Sequence, residues 1–245
     1  LQHKDLGPIL TRMAVFSSLI AAEKLIGETT VKVRSQIRLK GVPPFGVENI
    51  YAGSNGIGLA VMGLTEPLGK LMQNPFQPVE VEKVSMRLEV EERARVASIE
   101  VIRLQQATIQ PGDTVQVTAI LQPYLGDPQE VDAFLVIPLQ IQKGSLILRV
   151  SSAGSHRAWE SKRVPDELTP RNFDHLIRVL SRAERNDHLI FELISSNPGV
   201  TVEGREITGL PSSVLSALQF TRESGAVRRV EKTVVDRQRF PTNYV

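Results

Sequence analysis

The sequence predicts a mainly β protein with α+β parts, built from antiparallel sheets that include an Ig-like β-sandwich, with N-terminal and C-terminal helices. Apolar residues recur at every second position through successive runs beyond residue 79. Those runs are separated by "QPGD", "LGDPQ" and "QIQKG", while helical spacing is confined to the segments on either side. Period-two alternation marks strands with one buried face, and regular turn signals between short strands mark two packed sheets.

Residues 7–27 open with Gly-Pro and carry Ile9, Leu10, Met13, Phe16, Ile20 and Leu25 near helical spacing, with Gly27 as the stop. "TTVKVRSQIRLKG" then alternates strictly. Val31, Val33, Ile37 and Leu39 face one way and Lys32, Arg34, Gln36 and Arg38 the other, as in a half-buried antiparallel strand. Its charges suggest a sheet edge, where charge blunts aggregation and an extended peptide can add a strand. After a "GVPPFG" turn, "VENIYAG" is a short strand leading into a helix over 56–73 that Pro67 threatens to break.

"VEKVSMRLEVEE" opens the β-rich part, with Val84, Met86, Leu88 and Val90 on one face. "ARVASIEVIRLQQATI", "DTVQVTAILQPY", "EVDAFLVIP" and "GSLILRVSS" continue it. Three modules result: helix and strand over 1–78, the Ig-like sandwich over 79–153, and an α+β module over 154–245. In the last, Thr169 stands as an N-cap with Pro170 at the first helical position. Phe173, Leu176, Ile177 and Leu180 form the stripe of that helix. "HLIFELIS" reads as a strand, "LPSSVLSALQF" as a short helix, "AVRRVEKTVVD" as a last strand and "RQRFPTNYV" as a docked tail.

Composition narrows the function classes. The 245 residues are 41% hydrophobic and 23% charged, enough apolar material for a core without staples. With 29 basic against 27 acidic residues and no long basic run, the electrostatic footprint of a nucleic-acid binder is missing. The absence of cysteine excludes disulfides, thiol catalysis and Cys-ligated zinc. The apolar stretch near the start is interrupted by Arg12, Glu23 and Lys24. It is too short and too charged to span a bilayer, and has no small-residue cleavage signature.

The glycine-rich "IYAGSNGIGLAV" has the outline of a phosphate-cradling loop. A dinucleotide fingerprint needs G-x-G-x-x-G after a buried parallel strand, whereas Gly53, Gly56 and Gly58 run G-x-x-G-x-G. A Walker-type loop needs Lys-Ser/Thr at its end, and the nearest lysine is Lys70. Glu80 stands at the distance of a ribose-binding acid, but it precedes a strand with one charged face, which a doubly covered parallel sheet would not tolerate. The bland reading is a strand-to-helix turn, with Ser54 or Asn55 capping and glycines allowing close packing.

The four histidines are His3, His156, His175 and His188, two of them in "DHL" pairs with Asp174 and Asp187. Neighbours on a helix point about 100° apart, so Asp174 cannot orient His175 as a triad requires. His175 lies off the apolar stripe and reads as a surface residue. No nucleophile elbow and no His or carboxylate spacing typical of metal sites occurs. The single Trp159, in "SHRAWESKRVP", sits in a polar connection and is expected to pack where two modules meet. No catalytic, cofactor-binding or metal-ligating residue is assigned.

A family resemblance rests on a run of features from Asn74-Pro75-Phe76 through the alternating strands to Pro111-Gly112-Asp113. It continues with Gln122-Pro123-Tyr124, Gly126, Ile137-Pro138 and a strand led by Gly144. With "IGETTVKVRSQIRLKG" upstream and "LPSSVLSAL" downstream, most of the chain resembles the region C-terminal to the peptidase domain of bacterial SpoIVB-type serine peptidase-like proteins. The resemblance implies an exported, extracytoplasmic envelope protein whose peptidase domain lies N-terminal to this chain. That would account for a chain opening on Leu1. None of that family's catalytic motifs matches a residue here. The expected role is a non-catalytic scaffold or protein-recognition region, its partner a protein: its own peptidase domain or another envelope protein. The alternatives are a hydrolase with dispersed Ser, His and carboxylate residues and, last, a sandwich binding carbohydrate or another ligand.

Overall fold

The computed structural model describes residues 6–22, 27–106, 108–139, 141, 144–202, 205–207 and 227–245. It is mainly β, and its described strands pair antiparallel throughout. The chain divides into two compact units. One holds Leu1–Val96, Pro170–Asp187 and Asn243–Val245; the other holds Ala97–Thr169 and His188–Thr242. Strand pairing therefore groups the chain differently from the linear order of modules read in the sequence.

In the first unit, β1 (Thr29–Leu39) is the central strand of a sheet ordered β2–β1–β3, with β2 at Phe45–Gly53 and β3 at Val81–Glu91. The alternation read in the sequence holds, since Val31, Val33, Ile37 and Leu39 are buried. Its reading as an edge does not hold: β1 is paired on both sides, and its charges belong to a solvated face. The strand after residue 79 joins this sheet as β3, placing Val84, Met86, Leu88 and Val90 against the core.

Helix α2 (Gly56–Met72) covers the apolar face with Ile57, Ala60, Val61, Leu64, Leu68 and Leu71. That spacing of three and four residues forms one stripe. Pro67 does not break it. The ring forfeits one backbone bond, but the packed leucines on either side hold the helix in register. Helix α1 (Leu6–Ala22) packs beside α2 through Val15 and a hydrogen bond from Arg12 Nε to Thr65 Oγ1 (3.3 Å). Leu6, Ile9, Leu10, Met13 and Phe16 point instead to solvent, between 43% and 60% exposed.

The second unit is a sandwich of two three-stranded antiparallel sheets. One is ordered β4–β5–β6 (Ala97–Leu104, Thr114–Pro123, Gln129–Val136). The other is ordered β12–β8–β7, with β7 at Leu146–Ser152, β8 at His188–Ser195 and β12 at Thr233–Pro241. Val115, Val117, Ala119, Leu121, Ala133 and Leu135 meet Leu189, Phe191 and Leu193 to form the core. Phe191 and Phe240 pack edge to face at 5.6 Å. The sequence assigns this sandwich to 79–153, but two of its six strands, β8 and β12, lie beyond residue 187, so a return of the chain across long range completes it. Three short strands, β9 (Gly199–Val202), β10 (Arg205–Ile207) and β11 (Val227–Val230), form a further sheet.

Two helices depart from expectation. "AGSHRAWESKR", read as a polar connection, is α3 (Ala153–Arg163), followed by the single turn α4 (Pro165–Leu168). The helix α5 (Phe173–Ser181) is capped by Asn172, whose Oδ1 accepts from His175 N at 2.8 Å, and not by Thr169, which ends α4. Asn172 is extended there, the backbone an N-cap needs. Phe173, Leu176 and Leu180 are buried on the sheet of the first unit, as the stripe predicts. The expected helix at "LPSSVLSALQF" lies outside the described residues. Among the described residues no helix is long and apolar enough to cross a membrane.

Candidate functional site

The glycine loop has an architectural geometry. Gly53 ends β2 at φ +106°, a conformation open to glycine. At Gly56 a Cβ would stand 3.0 Å from Thr29 O and 3.1 Å from Thr29 Oγ1, so this glycine lets α2 settle on β1. Asn55 is the N-cap residue, but its side chain makes no capping bond, its backbone being outside the extended region. Gly53→Ala is expected to cost on the order of 1–3 kcal/mol through backbone strain, read as a lowered midpoint in urea.

The densest chemistry lies on the face of β8 turned away from the sandwich core. Glu192 is fully buried at the middle of the central strand. Register places Arg149 of β7 opposite it on one side and Arg237 of β12 on the other. Arg149 Nη1 reaches Glu192 Oε2 at 2.9 Å, and Arg237 Nε reaches Oε1 at 2.7 Å. Helix α3 lies over this row and presents His156 and Glu160, four residues apart and so on one face. His156 Nδ1 stands 3.4 Å from Glu192 Oε2, while Glu160 receives Arg237 and, at 2.9 Å, Arg163. Two guanidinium groups pack over the indole of Trp159, Arg149 at 4.5 Å and Arg163 at 4.9 Å from its centroid. Burial pushes the Glu192 carboxyl up, but the hydrogen bond from His156 and the charge of Arg237 outweigh it and hold the group below its ordinary value.

Three functions were open to such a cluster. His156, Glu160 and Glu192 bring ligand atoms within 4.8 Å of one another, a set that could hold a cation. The donor chemistry does not fit one. Both Glu192 oxygens already accept from guanidinium groups, as does Glu160. Three arginines against two glutamates leave the cluster positive before any ion enters. His156 faces Glu192, and among the described residues no serine hydrogen-bonds to its ring. The geometry shown is that of an ionic clamp that ties α3 to all three strands of the sheet.

The other sequence candidates lie apart from it. The Asp187 carboxylate is held by Arg185 at 2.7 and 3.0 Å. His175 is half-buried near the start of α5, and His188 is half-buried at the start of β8; His3 lies outside the described residues. Trp159 packs against Arg149 and Arg163, which belong to the same compact unit. A depression on the solvent face of β2–β1–β3 is lined by Lys32, Arg34, Glu48, Arg87, Glu89 and Arg185. Its charges are largely spent on one another, as in Arg34–Glu48 at 2.6 Å and Arg87–Glu89 at 3.0 Å.

Neither the known protein families, nor curated proteins, nor solved structures provide a match to this chain.

Proposed function

We propose that this chain is a non-catalytic scaffold and protein-recognition region of an exported envelope protein, accessory to a SpoIVB-type serine peptidase domain. The observation that carries this reading is the outward stripe of α1. Leu6, Ile9, Leu10, Met13 and Phe16 recur at helical spacing and face water, and a contiguous apolar surface of this kind marks an interaction site. A helix with such a stripe docks into an apolar groove. The resemblance implies a peptidase domain on the N-terminal side, and α1 is the first described element of the chain.

The test is titration calorimetry of the chain with a SpoIVB-type peptidase domain. Saturable binding that Leu10→Glu with Met13→Glu weakens at least tenfold is the expected result, with the far-ultraviolet dichroism of the variant unchanged. No heat of binding at high micromolar concentration overturns the proposal.

A further inference from the structure

The two edges of the β4–β5–β6 sheet are treated differently. At β6, side chains from β12 stand in for a neighbouring strand. Gln238 Nε2 donates to Phe134 O while Gln238 Oε1 accepts from Phe134 N (3.2 Å), and Asp236 Oδ2 accepts from Val136 N (2.8 Å). An amide group bonded both ways to one residue copies a ladder step, and this edge is closed to strand addition.

At β4, no described strand pairs with the edge opposite β5. Val101, Ile102 and Leu104 are 41%, 44% and 45% exposed. Ile102 and Leu104 lie in register with Ala119 and Val117, which are fully buried. They face the sandwich interior yet remain half in water, so the described residues leave the core partly uncovered along this rim. Natural edges are usually blunted by charge, proline or covering loops; this one carries three half-exposed apolar side chains beside the exposed Glu100 and Arg103.

We propose that β4 pairs antiparallel with β4 of a second copy of this chain, forming a two-fold dimer through a continuous six-stranded sheet. The choice of a second copy comes from charge and register. A two-fold axis normal to the sheet must set residues of like face opposite each other. Centring it on Arg103 would oppose two arginines. Centring it on Ile102 sets Ile102 against Ile102 on the inner face and Arg103 against Val101 on the outer. The register shift between Ile99 and Val101 leaves Glu100 as the extra residue beside Val101. Arg103 of each copy thereby meets Glu100 of the other. The existing partner of Arg103, Glu130 at 3.2 Å, is an exposed pair and is readily exchanged. One strand pair buries less than the ~1,200 Å² of a stable complex, so the dimer is weak and concentration-dependent. This inference does not rest on the recognition role of α1.

Sedimentation velocity of the full chain from low to high micromolar concentration tests it. A monomer–dimer equilibrium is expected. Glu100→Arg and Arg103→Glu should each weaken it about tenfold, because each contact occurs twice and turns repulsive, and the double variant should restore it. Ile102→Lys should abolish it, while Leu125→Lys at the β5–β6 tip should leave it unchanged. Trp159 fluorescence during urea unfolding confirms that each variant is folded. A chain that stays monomeric throughout, including one whose edge captures only extended peptides of other proteins, overturns the inference. So does a dimer indifferent to both charge reversals.

Discussion

Glu192→Gln is expected to destabilise the second unit by about 3–5 kcal/mol, the usual cost of removing one partner from a buried ion pair. The carboxylate has no exposure and accepts from Arg149, Arg237 and His156 together. Glutamine keeps the shape, but it turns one acceptor into a donor facing a guanidinium and leaves the arginines without a countercharge. The measurement is urea unfolding followed by Trp159 fluorescence. Trp159 is the chain's single tryptophan and lies against Arg149 and Arg163, so its emission reports this cluster directly. A loss under 1 kcal/mol would show that the clamp contributes little and that α3 is held by other contacts.

The same cluster shows which parts of the molecule the sequence makes legible. Strands β1, β3, β5 and β6 bury one face and expose the other, so period two reveals them. The stripes of α2 and α5 follow helical spacing in the same way. Helix α3 is invisible to that signal because its buried face is made of His156 and Glu160, with Ala153 as its one apolar member. Hydrophobic periodicity cannot register a helix fastened by charge. A usable signal lay elsewhere. "HLIFELIS" places apolar residues on both faces because β8 is buried on both faces, and Glu192 is its one acidic residue. A carboxylate in such a strand demands cations nearby, although only the fold reveals that they are Arg149 and Arg237, 43 and 45 residues away. The β4 edge was illegible for a different reason, since pairing partners in a sheet are set by topology and not by the strand's own pattern.

Phe191→Ala, one residue from Glu192, is expected to cost about 3–5 kcal/mol by a different mechanism. Its ring has no exposure, packs edge to face on Phe240 and fills the space between the two sheets, so truncation leaves a cavity. Acid separates the two effects. The Glu192 carboxyl is held below its ordinary value in the folded chain. Its contribution is therefore complete above the unfolded value of about 4.3 and is lost as pH falls through the lower folded value. Glutamine does not titrate, so the stability gap between the parent chain and Glu192→Gln should narrow steadily below about pH 4. The gap for Phe191→Ala should stay constant over the same range, because a cavity carries no proton. Parallel acid profiles for the two variants would mean that Glu192 acts through packing alone; divergent ones would show a strand fastened by charge on one face and by apolar burial on the other.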